Sequence, residues 1–172
     1  MIRGFFILGI ALFGYTFKTT AQSDGPFTIY LVRHSEKDHS SEHKSDPPLS
    51  QCGEQRSETL SIFFSDVRLE AIYSTDFKRT ISTAKPTAIS KGLEIQKYEL
   101  SDLESLAQTL LDRKQDALVV GHSNTTGYLA GFLIGEEVEH ISLDVYDRIY
   151  QVVVAENSSR LHLLHSSFKC HE

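Results

Sequence analysis

The chain has 172 residues, 40% hydrophobic and 23% charged, with a formal net charge of −6. That length and balance suit a single domain with a substantial core and exclude a disordered or fibrous chain. The acidic balance argues against nucleic acid or an anionic membrane as the main partner, yet leaves room for a locally positive pocket.

In chain order, the first feature is "MIRGFFILGIALFGYTFKTTAQ". Arg3 precedes an apolar run over 4–17, and Thr19, Thr20 and Ala21 follow it. Charge, apolar stretch and small residues in that order describe a secretory signal peptide. The run is short for a membrane span, which needs about 20 apolar residues. The expectation is a signal peptide over 1–21, cleaved after Ala21, and a single mature domain over 22–172. The protein is then exported, to a bacterial periplasm or beyond, with no stable membrane anchor after cleavage. Cleavage removes Arg3 and Lys18, so 15 basic residues face 23 acidic ones and the charge moves to −8. Two cysteines remain, Cys52 and Cys170. An oxidising compartment permits a disulfide, but spacing alone leaves the pairing open.

Beyond this segment, β-rich runs at 26–32, 69–75, 93–100 and 116–122 alternate with helical patterns. The helix over 49–65 has Ser50 as its N-cap. The next, over 76–92, starts on an Asp cap at Asp76, ends on Gly92, and carries Pro86, which predicts a kink or break. The third, over 101–114, opens with Ser101 and has Glu104 three residues on, a capping-box pattern. A fourth spans 124–135. Two late strands, 147–156 and 159–167, flank Asn157-Ser158 and read as a hairpin. This alternation predicts an α/β fold: a three-layer α/β/α sandwich with a mostly parallel sheet and a C-terminal hairpin.

In such sheets ligands bind beyond the carboxyl ends of the strands. Arg33-His34 follow the first strand; Ser74, Thr75 and then Arg79 follow the second. Glu99 follows the third, and Gly121-His122-Ser123 the fourth. Two arginines, two histidines and a carboxylate on one edge suit a dianionic tetrahedral ligand such as a phosphoryl group. Guanidinium offers a fork of donors with a permanent charge, and imidazole is a nucleophile when neutral and a donor when protonated. The loop "HSEKDHSSEHK" over 34–44 reads as a solvated charged segment, without metal-ligand spacing elsewhere to support His39 and His43.

Four segments carry a family resemblance. "LVRHSEK" resembles the Arg-His-Gly-type signature of the histidine phosphatase superfamily, also called phosphoglycerate-mutase-like. "DPPLSQCGEQRSETL" is similar to that family's proline, Leu-Ser/Thr, Gly and Arg pattern. "IYSTDFKRTISTAKP" resembles its Ser-x-x-x-Arg-x-x-x-Thr-Ala segment, and "VVGHSN" its second histidine motif. The four stand in the family's order across residues 27–130. The resemblance implies a phosphoglycerate-mutase-like fold and a phosphatase acting on phosphomonoesters, with His34 as nucleophile and Arg33, Arg79 and His122 holding the phosphoryl oxygens. It implies no metal and no other cofactor. Ser123 is a further candidate contact to a phosphoryl oxygen. The general acid is assigned to Glu99 by position, with Asp102 as the alternative. Ser35 stands where many members have Gly. Substrates on this reading are phosphorylated small molecules, glycans or phosphoproteins, and the oligomeric state is left open. Two other readings fit the same residues: a non-catalytic phosphate-binding or interaction domain, and a phosphoglycerate-mutase-like phosphotransferase, for which about 150 mature residues leave little room.

Overall fold

A computed structural model describes residues 25–139, 141–156 and 158–170. The expected signal peptide and Asn157 lie outside them. Six strands and four helices alternate in the predicted order: β1 (Phe27–Arg33), α1 (Gln51–Phe63), β2 (Ala71–Ser74), α2 (Lys78–Lys91), β3 (Ile95–Lys97), α3 (Leu103–Arg113), β4 (Ala117–Gly121), α4 (Thr126–Ile134), β5 (Arg148–Ala155) and β6 (Ser158–His165).

The strands form one sheet in the order β3-β2-β4-β1-β5-β6. The first four of these run parallel, and β5 joins β1 antiparallel and carries β6 as a hairpin. Alternation along β1 explains the three layers. Phe27, Ile29 and Leu31 pack with Leu106, Leu110, Leu129 and Leu133 of α3 and α4. Tyr30 and Val32 pack on the other face with Leu60, Phe64, Ala84 and Ala88, from α1 and α2 and their ends. Both faces being covered, the central strands are mostly apolar runs, as a doubly wound sheet requires. Among the described residues, no helix is long and apolar enough to cross a membrane.

Three local expectations change. Helix α2 continues through Pro86, with Thr83, Ala84, Thr87 and Ala88 buried around it; this packing offsets the hydrogen bond that proline cannot donate. Asp76 does not cap that helix: Phe77 is its N-cap, and Asp76 instead pairs with Lys97 at 2.8 Å. Helix α3 starts one residue later than the Ser101 box predicts, because the Asp102 carboxylate accepts the Ser105 N–H at 3.1 Å. The other two caps are as expected, with Ser50 accepting the Gly53 N–H at 3.1 Å and Gly92 left-handed at φ 64°.

Candidate active site

The sheet order places β4 beside β1, so the ends of these two strands meet. Arg33 lies in register with Gly121, and the His34 N–H donates to the Gly121 carbonyl at 2.9 Å. The next residues on each strand are the two histidines, whose rings lie 5.3 Å apart between centroids. Gly121, between these strand ends, has no room for a side chain. A Cβ there would stand 2.8 Å from the Tyr98 hydroxyl and 3.0 Å from Thr125 Oγ1.

His34 is 5% exposed. Its Nδ1 lies 2.8 Å from the Ser35 carbonyl oxygen. That oxygen can only accept, so Nδ1 carries the proton and the Nε2 lone pair is free. Burial pushes the His34 pKa down to about 3, with the charges of Arg33, His122 and Arg79 adding to it. The ring is therefore neutral at physiological pH. His122 is likewise lowered to about 4, by burial first and then by Arg79 and Arg33. Its Nε2 lies 3.0 Å from Thr75 Oγ1. A relay orients that contact: Thr80 Oγ1 donates to main-chain carbonyls, and Thr75 Oγ1 donates to Thr80 Oγ1 at 3.0 Å. Thr75 is left to accept from Nε2–H, so Nδ1 is the nitrogen of His122 left for a ligand.

The arginines are held differently. Arg33 is buried, and its Nη1 donates to the carbonyls of Leu143 at 2.7 Å and Val145 at 3.0 Å. Its guanidinium lies over the Tyr146 ring at 3.9 Å. Arg79, on the first turn of α2, stacks on Phe77 at 4.4 Å and reaches Asp46 at 3.4 Å. Phe77 in turn packs edge-on against His122.

Beneath His34, the loop is braced by α1 and the C-terminal tail. Arg56 forms a bidentate pair with Glu36, at 2.6 Å for Nη2 to Oε1 and 2.9 Å for Nε to Oε2. It also donates to the Phe168 carbonyl at 3.2 Å. A Cβ at Gly53 would collide with the Glu36 carbonyl, so only glycine lets α1 approach this closely. Cys52 and Cys170 form a disulfide that fastens the tail to α1 beside Glu36. The Ser35 N–H donates to Thr83 Oγ1 at 2.9 Å.

Of the residues expected from sequence, Arg33, His34, Arg79 and His122 come together, and buried Ser123 follows His122 in the turn before α4. Glu99 stands on the exposed turn after β3, and its carboxylate makes no hydrogen bond or ion pair to another described residue. Asp102, the alternative acid, is committed to the α3 cap. Sequence reasoning missed Asp46, Phe77 and Tyr146. Of the two hydroxyl residues expected after the second strand, Ser74 and Thr75, the one that meets His122 is Thr75, four before Arg79.

Residues 29–104 match the family model of the histidine phosphatase superfamily, branch 1. No curated protein matches the sequence. Among solved structures, the protein histidine phosphatase SixA, complexed with tungstate, aligns at TM-score 0.66 with 18% identity, covering 81% of this chain and 97% of its own. Mycobacterial glucosyl-3-phosphoglycerate phosphatase aligns at 0.62 with 12% identity, over 83% of this chain and 100% of its own. A phosphoserine phosphatase from Entamoeba histolytica, in complex with 3-phosphoglyceric acid, aligns at 0.62 with 16% identity, over 82% and 98%. At these identities the likeness is one of fold. Residues 29–104 thus resemble the histidine phosphatase superfamily, and the solved structures share the fold around them.

Proposed function

We propose that this domain hydrolyses phosphomonoesters through a phosphohistidine on His34. The observation that carries the reading is the fixed tautomer of His34: a neutral imidazole with its Nε2 lone pair free, beside His122 and two guanidinium groups. Nε2 attacks phosphorus as the bond to the leaving oxygen breaks, and that oxygen takes a proton from an acid. Water then attacks the phosphoryl group, the P–N bond breaks, and the same group, now a base, takes the water's proton. Arg33, Arg79 and Ser123 hold the phosphoryl oxygens. His122 joins them through Nδ1, which must gain a proton to donate. Guanidinium and imidazolium supply the positive charge, so the scheme uses no metal.

Glu99 is proposed as the acid because it stands past β3 on the same edge. Asp46 is a second candidate, favoured by its contact with Arg79. Phosphorylated small molecules, glycans and phosphoproteins all fit an edge whose Arg79 side is partly open. Export is part of the reading: a disulfide joining residues 118 apart in sequence supports an oxidising compartment. The test is acid trapping of the mature protein with a labelled phosphomonoester. Phosphohistidine should form in wild type and vanish in His34→Ala, with turnover down at least about a thousandfold. Phosphate binding without any turnover would favour a non-catalytic binding domain instead.

A further inference from the structure

Among the described residues, four buried side-chain atoms have no hydrogen-bond partner: Arg33 Nε, Ser35 Oγ, Thr87 Oγ1 and Arg148 Nε. Three of the four belong to residues lining one small cavity of about 10 Å³, which is walled also by Arg56, Leu60, Tyr146, Asp147 and Ser166. His34, Arg79 and His122 do not line it, so the cavity is distinct from the phosphoryl pocket and shares only Arg33 with the proposed clamp.

Nearly all buried polar groups in folded proteins are paired, so three unpaired groups around one cavity point to a shared partner. The two Nε–H groups are donors only and cannot satisfy each other. The Ser35 hydroxyl could accept from either arginine, yet it bonds to neither. What the three need is a common acceptor. The volume sets its size, since about 10 Å³ is the space of one water molecule. A phosphate or carboxylate does not fit.

We propose that this cavity binds one small hydrogen-bond acceptor, a water molecule or a chloride ion, bridging Arg33, Ser35 and Arg148. A water oxygen accepts from both Nε–H groups and donates to Ser35 Oγ; chloride accepts from all three. Either guest fixes the Nε side of Arg33, while the carbonyls of Leu143 and Val145 fix Nη1. Nη2 is then presented in one orientation. Arg148, on β5, becomes a positioning residue for the oxyanion clamp without touching the ligand, a consequence that rests on the proposed use of Arg33. The serine in place of the family's glycine supplies the third group of the site.

The test has two arms. Crystals of the mature protein grown in bromide, with and without tungstate, should show a peak in hydrogen-bonding range of Arg33 Nε, Ser35 Oγ and Arg148 Nε. Anomalous signal there identifies a halide, and its absence identifies water. A cavity without a peak, or Arg33 Nε turned onto the tungstate, overturns the site. In solution, Arg148→Met should weaken tungstate binding about three- to tenfold, the effect of one misplaced hydrogen bond. Arg148→Gln, which keeps a donor, should fall between Met and wild type. Unchanged affinity in a folded Arg148→Met overturns the positioning role, and if Met does not fold, unchanged affinity in Arg148→Gln does so. Neither arm needs turnover, so a failure of the phosphatase reading would not mimic a failure here.

Discussion

The two sides of the phosphoryl edge are built to different standards. After β1, Arg33, His34 and Glu36 are held by the carbonyls of 143 and 145, the Tyr146 ring, the Arg56 fork and a disulfide-fastened tail. At the start of α2, Arg79 has one ring beneath it and one carboxylate at 3.4 Å. The first side is preorganised, which is what the proposed nucleophile and its clamp would require. The second can adjust, which suits the side where substrates of varied bulk would enter.

The largest difference should come from conservative substitution of the two arginines. Arg33→Lys loses the fork that spans two carbonyls and a ring, and a point charge on a flexible stem cannot replace it. Its kcat/KM should fall about a hundred- to a thousandfold, the range for removing a preorganised donor. Arg79→Lys keeps the charge in a less constrained setting and should lose only about tenfold. Equal losses, measured on folded variants, would break the distinction between a rigid and an adaptable side.

The disulfide tests the bracing directly. It closes a loop of more than a hundred residues, so Cys170→Ser should cost about 3–5 kcal/mol of unfolding free energy, read by denaturant titration. Because Phe168 and Cys170 flank the Arg56–Glu36 pair, turnover should also drop modestly. Tungstate affinity should fall less than in Arg33→Lys. An unchanged melting curve would remove the tail from the brace.

How much of this was legible in the sequence depends on the physical range of each signal. The strand ends were readable because apolar runs stop where polar residues begin, and this fixed Arg33, His34, Arg79 and His122 on one edge. Helix caps were less readable: Ser101 and Asp102 are adjacent and both favoured N-cap residues, and the chain uses the second. Asp46 and Tyr146 were not readable at all. Each sits in an irregular loop and reaches the site across 33 and 113 positions of sequence, toward Arg79 and Arg33 respectively. Composition and periodicity carry no information over such distances. Glu99 shows the converse, a residue whose position on the edge was legible but whose side chain finds no partner among the described residues.

Acidity separates the two histidines from ordinary ones. Both fold with pKa values near 3 and 4 against 6.5 in the unfolded chain. Since the folded values are depressed, the unfolded chain binds more protons between pH 6.5 and about 4, and stability falls as pH drops through that window. Each histidine contributes a slope of up to about 1.4 kcal/mol per pH unit. His122→Asn should flatten the acid limb of a stability–pH profile by one proton. A dianion at the site reverses the local field, so oxyanion binding at neutral pH should take up a proton on His122. Calorimetry in buffers of different ionisation enthalpy reads this, and it should vanish in His122→Asn. Binding with no proton exchange would mean that neutral His122 serves as it stands.

The smallest effect concerns the acid, and it bears on the adaptable side alone. An aryl leaving group needs little protonation, whereas an alkyl one needs a proton as the P–O bond breaks. A true acid therefore shows a larger loss on alkyl than on aryl phosphates. Glu99→Gln and Asp46→Asn should be compared on both substrates. If Glu99 is the acid, its variant should lose about tenfold or more on the alkyl ester and little on the aryl one. Asp46→Asn should then lose similarly on both, through its contact with Arg79. The reverse pattern would assign proton transfer to Asp46 and leave Glu99 as a solvated turn residue. Equal losses on both esters in both variants would mean that neither carboxylate delivers the proton, and that the open side of the pocket draws it from water.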